Sequence, residues 1–299
     1  MINRLQRFLN RHLSSHREWL KRNHDLINEE LDFMEETSNE FSLSDLINFA
    51  SSLEIMSTYY SKKGTVAVFD GDPDGWYHIH KAIAYLYLNL RIRIKAYTNT
   101  TFLGEFQSTP PLDRQLSPTA CLVCYSTVFQ LDQWNSFSLS SLLGLATWPD
   151  AIEPSFWHER IFEPFVLLLH NKHKRISLPP ELSTRDLGVY NGIMQNWEHP
   201  HQLVEPLLDI CDYHCQQIED TGGDWIPEFK YSPFDLLPIE ILTIYIIRER
   251  SGLETPQIDH PLLSLPLASV EQPGKGESDD VLRKVRTAYE DLLQEPWDS

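Results

Sequence analysis

The chain has 299 residues, of which 41% are hydrophobic and 23% are charged, as is ordinary for a water-soluble globular protein. Its 43 acidic residues outnumber 25 basic ones, and the net charge of -18 disfavours nucleic acid and anionic lipid as direct partners. The most apolar stretch, residues 236–247, is interrupted by Pro238 and Glu240, so no membrane-spanning segment is predicted.

The N-terminal segment predicts a basic amphipathic helix, continuous or once broken, over residues 2–36. Leu5, Leu9 and Leu13 recur every four residues and therefore share one helix face. Residues 1–24 carry six basic side chains and one acidic side chain, and no continuous apolar segment follows them, so they are not a secretion signal. A solvated basic face is favoured over a membrane-surface helix, because the negative body would oppose anionic lipid. We expect a cytoplasmic protein.

The next elements are set by polar and glycine residues. Ser42 and Asp45 have the spacing of a capping box at the start of a helix, which is expected to end near Gly64. Residues 65–69 are predicted as a short extended piece. Asp74 or a neighbour then caps a helix that continues through Leu90.

The second half of the chain predicts short helices between proline-containing breaks. Residues 97–116 are expected to form a loop, and Ser117-Pro118 is typical of a helix start. Further helices are predicted at 118–131, 138–147, 155–172, 183–197, 200–219, from Ser232-Pro233 to Gly252, and at 278–293, with 253–278 irregular and Pro-rich. The pattern predicts an all-α fold, with residues 1–299 forming one compact domain of about nine to ten helices and Pro-rich connecting loops.

Acidic residues are concentrated between residues 186 and 229, a stretch that contains no lysine or arginine. It also contains Trp197, Tyr213 and Trp225. A surface that is acidic and aromatic suits a basic protein partner. The nine acidic residues are Asp186, Glu198, Glu205, Asp209, Asp212, Glu219, Asp220, Asp224 and Glu228.

The turn at residues 70–75 matches the first half of a calcium loop, D-x-D-x-D-G. The twelfth position, which should supply a bidentate glutamate, is Lys81, so a polar turn with a helix cap is favoured over a cation site. A better interpretation is an exposed anchor for cationic side chains of a partner. The predicted anchor consists of Asp70, Asp72, Asp74, Trp76 and Tyr77.

The cysteines and histidines do not form a convincing metal or catalytic motif. Cys121 and Cys124 form a CxxC, and Cys211 and Cys215 flank His214, but both pairs lie in apolar helical segments. Buried thiols are therefore favoured over a zinc site. The chain contains no H-E-x-x-H, G-x-S-x-G or phosphate-binding loop. No catalytic residue, cofactor or metal is predicted.

One set of segments resembles a known family. Residues 233–242, 248–253 and 260–263, together with Gly75-Trp76 and the alanines that follow it, are similar to the all-helical immunity proteins numbered family 49 among bacterial polymorphic-toxin systems. The resemblance covers about half of the chain and rests on structural motifs. It implies a non-enzymatic protein that binds and blocks a cognate toxin domain, delivered by contact-dependent or type VI secretion and often acting on nucleic acid.

The charge pattern and the resemblance predict the same function. A domain that acts on nucleic acid tends to have a basic cleft, which acidic and aromatic side chains could fill. The predicted contacts are the turn at residues 70–77 and a second anchor formed by Glu219, Asp220, Asp224, Trp225 and Glu228. Two alternatives remain open: a helical hydrolase that uses carboxylates or a metal, and a helical protein-interaction scaffold with an exposed apolar groove.

Overall fold

The structure, a computed structural model, describes residues 2–36, 42–98, 112–218, 226–271 and 279–293. All regular secondary structure within these ranges is helical, which confirms the all-α prediction. The described part of the chain contains twelve α-helices, slightly more than expected. They are α1 (Ile2–Arg22), α2 (His24–Glu36), α3 (Leu43–Asp70), α4 (Gly75–Thr98), α5 (Asp113–Val128), α6 (Asp132–Thr147), α7 (Pro154–Glu159), α8 (Phe162–Lys174), α9 (Asn191–Gln195), α10 (Val204–Gln216), α11 (Ile239–Arg250) and α12 (Asp280–Leu293).

The chain divides into two compact units, and one domain over residues 1–299 stays a prediction. The first unit comprises Met1–Pro110 and Val270–Ser299, and the second comprises Pro111–Ser269. The boundary carries no low-complexity linker, and α12 belongs to the first unit although it is last in sequence. Sequence order alone therefore gave no sign of the division.

The first unit is built around the α3–α4 hairpin. The predicted capping box is present, because the Asp45 N–H donates to Ser42 Oγ at 3.1 Å and the Ser42 N–H donates to Asp45 Oδ2 at 2.9 Å. The predicted helix end near Gly64 is wrong, as is the extended piece after it. The helix instead ends at Gly71, whose φ of 74° is the left-handed conformation that glycine favours.

Gly64 stays inside α3 because the two long helices approach closely there. A Cβ at Gly64 would lie 2.7 Å from Ile79 Cγ1 and 2.8 Å from the Gly75 carbonyl oxygen. A side chain at this point would hold the helices apart. The sequence pattern predicts a helix end at this glycine, but in the structure Gly64 is a packing contact between α3 and α4.

The other helices of the first unit cover this hairpin. The predicted helix over residues 2–36 is broken once, at Asn23, into α1 and α2. Leu9 and Leu13 of α1 are buried, while Arg7 and Arg11 lie on its exposed face, as the periodicity predicted. The residues that form the shared core of α2, α3, α4 and α12 include Ile27, Met34, Phe49, Leu53, Tyr85, Val285 and Tyr289.

The second unit packs around α5, which is buried at every position from Gln115 to Val128. α5 begins at Asp113, so Pro118 lies inside the helix and not at its predicted start. Ser232-Pro233 also does not begin a helix, because α11 begins at Ile239. Within the predicted helix at 183–197, only α9 is α-helical, and the rest consists of short 3-10 turns and irregular chain. None of the described helices has the length and apolar character needed to span a membrane.

Candidate functional site

The turn between α3 and α4 is partly as predicted. Asp70, Asp72 and Asp74 are exposed, and Tyr77 is 41% exposed. Trp76 is only 6% exposed and its ring lies 5.7 Å from the His80 ring, so it is not the exposed anchor that the sequence suggested. The turn therefore presents three carboxylates and one phenol ring.

The carboxylates of this turn differ in their contacts. Asp70 Oδ1 accepts a hydrogen bond from Arg17 Nη2 at 2.5 Å, and both side chains remain about half exposed. Asp72 Oδ1 accepts from the Asp74 N–H at 2.9 Å, which fixes the turn. An exposed ion pair of this kind contributes little to stability. The charge of the turn faces solvent.

The calcium alternative does not fit this geometry. In a calcium loop the chain wraps the ion for twelve residues, but here α4 begins at Gly75, the sixth position. The twelfth, Lys81, places its Nζ 2.8 Å from Asp279 Oδ2 and 4.2 Å from the centre of the Tyr60 ring. A cation, not a carboxylate ligand, occupies that position.

The second predicted anchor is described only at its end. Glu219, Asp220, Asp224 and Trp225 lie outside the described residues. Glu228 is described and is 0% exposed, which corrects the expectation that it lies on an acidic surface. Its burial results from partners far away in sequence that the acidic composition of its own segment does not reveal.

Glu228 joins three elements of the second unit. Its Oε1 accepts hydrogen bonds from the N–H groups of Ile161 and Phe162, both at 3.2 Å, at the start of α8. Its Oε2 accepts from the Tyr213 hydroxyl at 2.8 Å. Arg160 Nε lies 3.6 Å from Oε1. The carboxylate therefore binds α8, α10 and the guanidinium of Arg160 at once.

Arg160 is shared with a second buried carboxylate. Arg160 Nη2 donates to Glu163 Oε1 at 2.9 Å and to Ser117 Oγ at 2.7 Å, and all three side chains are buried. Arg160 Nη1 donates to the carbonyl oxygen of Ile226 at 2.5 Å. Two carboxylates thus share one cation away from water. We call Arg160, Glu163 and Glu228 the buried ion cluster.

The buried ion cluster predicts an unusual pH dependence. Burial, and then the charge of Glu163, raise the pKa of Glu228 to about 7, although Arg160 opposes the shift. The folded protein therefore binds a proton at Glu228 that the unfolded chain releases above its ordinary pKa near 4.5. This contribution to stability is complete below pH 4.5 and is lost as the pH rises through about 7.

Comparison with Glu228→Gln isolates this effect. We expect the unfolding free energy of the wild type, relative to the variant, to decrease between about pH 5 and pH 8. Burial lowers the pKa of His170 to about 4. His170 titrates in both proteins, so its contribution cancels in the difference between them. Denaturant titrations of both proteins at a series of pH values measure this difference in unfolding free energy. A difference that does not change with pH would mean that Glu228 ionises normally.

A second buried pair lies in the same unit. His214 Nδ1 is 2.8 Å from Glu240 Oε1, both side chains are 0% exposed, and the His214 ring stacks on Phe229 at 4.3 Å. A carboxylate hydrolase needs its acids within reach of substrate and water. The carboxylates Glu163, Glu228 and Glu240 are instead enclosed and bonded to protein groups, so their arrangement suits a structural role.

The four cysteines are free and buried, which is the arrangement that the sequence favoured. Burial raises the pKa of Cys211 and raises the pKa of Cys215 to about 12. A thiol of high pKa is a poor nucleophile at neutral pH. The thiols of α5 and α10 therefore act as small core side chains.

The acidic stretch predicted from sequence reaches the surface along α10. Glu205, Asp209 and Asp212 follow the i, i+4, i+7 spacing of one helix face, and all three are exposed. The opposite face buries Leu207 and Ile210. We call Glu205, Asp209 and Asp212 the α10 acidic face. It continues the predicted acidic character, but it was not among the residues chosen as anchors.

No family model, curated protein or solved structure matches this chain.

Proposed function

We propose that this chain is a non-enzymatic immunity protein that binds a cognate bacterial toxin domain, with a basic surface, in the cytoplasm and blocks it. The observation that carries the proposal is that the acidic residues of this chain fall into a buried group and an exposed group. Glu163, Glu228 and Glu240 are buried and paired. The carboxylate residues of the α10 acidic face and of the turn at residues 70–77 are exposed, although Asp70 pairs with Arg17 and Asp212 lies 3.3 Å from His260 Nε2.

Exposed carboxylates on helices and their connecting turn suit rapid capture of a cation-rich domain. Opposite charge raises the association rate, and a toxin must be captured before it acts. Tight binding also needs apolar anchors, because charge at a surface adds little affinity. Tyr77 and Val204 are exposed beside the two acidic surfaces and are the proposed anchors there.

The proposal is tested with the product of the adjacent gene. We expect co-expression of this chain to restore growth of cells that express that product, and the two purified proteins to form a stoichiometric complex. In vitro, Asp209→Lys with Asp212→Lys should slow association at least about tenfold in low salt.

The matched control reverses Glu181 and Glu249, which are exposed elsewhere in the second unit. It changes the net charge equally but leaves the α10 acidic face intact. Equal slowing by both double variants would show that only net charge matters. Growth inhibition that this chain does not relieve would remove the toxin assignment.

A helical interaction scaffold is the second candidate. It is favoured by an exposed apolar groove in the first unit, lined by Trp19, Leu26 and Ile55. A scaffold would bind another helical protein without relieving toxicity, so the co-expression assay separates the two functions.

A further inference from the structure

α2 presents a row of acidic side chains to solvent. Its 13 residues include six acidic residues and no lysine or arginine. Four of the six recur with the i, i+4, i+7, i+11 spacing of one helix face and are exposed. We call these four the α2 stripe: Asp25, Glu29, Asp32 and Glu36.

An apolar row runs beside the α2 stripe. Leu26 is 39% exposed and Phe33 is 46% exposed. The two residues are seven positions apart, so they lie about two helical turns from each other on nearly the same side. The Phe33 ring also stacks on Phe49 at 5.3 Å, which holds it in place while almost half of its surface faces solvent.

The row leads into a groove between α2 and its neighbours. The groove has a volume of about 280 Å³ and is lined by Trp19, Leu26 and Ile55 together with the polar residues Ser51, Glu54 and Thr58. This volume suits one large apolar side chain. A pocket that takes a single anchor beside a helical row is the arrangement by which many proteins bind an amphipathic helix.

We propose that α2 is a docking surface for a basic amphipathic helix of a partner protein. One large apolar side chain of that helix enters the groove beside Leu26, and another packs on Phe33. Its lysine and arginine residues face the α2 stripe. The charge of the stripe identifies this occupant, because a helix with an apolar face and basic flanks complements both features at once.

A second copy of this chain fits the surface less well. Two α2 helices placed together would oppose their acidic stripes, which is unfavourable. The basic helix α1 does not supply the required partner either, because its apolar residues Leu9 and Leu13 are already buried. The inference does not depend on the toxin assignment, since it concerns a different face and a class of helix.

The test uses the full chain and a synthetic 18-residue peptide with leucine and lysine at helical spacing. A peptide of the same composition with the spacing scrambled is the control ligand. Binding is measured by fluorescence anisotropy, and hydrogen exchange locates the contact. We expect protection in α2 and at residues 51–58, and at least about tenfold weaker binding by Leu26→Ser with Phe33→Ser.

Charge variants distinguish binding at the α2 stripe from attraction of the peptide by the net negative charge of the protein. Glu29→Gln with Asp32→Asn should weaken binding about three- to tenfold in low salt and have little effect in high salt. Asp209→Asn with Asp212→Asn, on the α10 acidic face, should leave binding unchanged. Circular dichroism and thermal melts confirm that each variant is folded, and Leu26→Ser alone supplies a milder variant if Phe33→Ser unfolds the first unit.

Three results would overturn the proposal. The scrambled peptide could bind equally well, the α10 variant could weaken binding as much as the α2 variant, or the Leu26 and Phe33 variants could have no effect. If the wild type dimerises and Leu26→Ser abolishes the dimer, the surface would instead be assigned to a second copy of this chain. Each of these results is independent of whether the adjacent gene product is neutralised.

Discussion

Arg160→Met should destabilise the second unit by about 3–5 kcal/mol, because it leaves two buried carboxylates without their shared cation. Methionine approximates the length of the arginine stem but cannot donate to Glu163, Ser117 or the Ile226 carbonyl. Hydrogen exchange of the amides of α5 and α8, recorded over a series of denaturant concentrations, measures the unfolding free energy of the second unit separately from that of the first.

The matched control is Arg17→Met, because Arg17 also pairs with an aspartate but remains 44% exposed. Its expected cost is about 0–1 kcal/mol. Adding Glu163→Gln to Arg160→Met should recover part of the loss, since the carboxylate that Arg160 Nη2 binds at 2.9 Å is then removed as well. Equal, small costs for both arginine variants would mean that the buried ion cluster is not an important source of stability.

Gly64→Ala should destabilise the first unit by about 1–3 kcal/mol, although the same change in an exposed helix interior stabilises by about 1 kcal/mol. The sign reverses because the new methyl group would lie within 2.8 Å of the Gly75 carbonyl oxygen and the Ile79 nitrogen. Neither backbone atom can move without displacing α4. Thermal melts of the variant measure the effect.

Ser44→Ala is the control for this prediction. Ser44 is exposed near the start of α3, so the substitution changes helix propensity without a steric contact. We expect its effect to remain within about 0.5 kcal/mol. A melting temperature that rises in Gly64→Ala would show that α3 and α4 are not held together at this point.

The sequence correctly predicted those helices whose starts and ends depend on residues close together in the chain. The Ser42–Asp45 capping box, the once-broken N-terminal helix and the helix after Asp74 depend on residues within a few positions of each other. Gly64 was misread because the reason for it lies on α4. Helix propensity favours ending a helix at glycine, whereas contact between two helices requires glycine inside one.

The candidate sites show the same difference between local and distant causes. Asp70, Asp72 and Asp74 are exposed as predicted, because a polar turn has few ways to bury three carboxylates. Glu228 was assigned to the surface from its acidic surroundings, but its partner Arg160 is 68 positions earlier and accompanies it in the core. A count of charges cannot distinguish a solvated carboxylate from a paired buried one.

The division of the acidic residues has a consequence for binding. A buried carboxylate that is paired adds little to the field outside the protein, whereas exposed carboxylates add directly to it. The α10 acidic face and the α2 stripe together place seven such residues on two helices, one in each unit. These surfaces, and not the buried ion cluster, are where a basic partner would first be attracted.

We propose that the exposed acidic surfaces capture a basic protein domain. The most direct test is the association rate of this chain with the adjacent gene product, measured over a range of salt concentrations. We expect an association rate that falls steeply as salt rises, and an α10 variant that associates more slowly than the wild type only in low salt. An association rate that is the same at all salt concentrations, or a partner with an acidic contact surface, would contradict it.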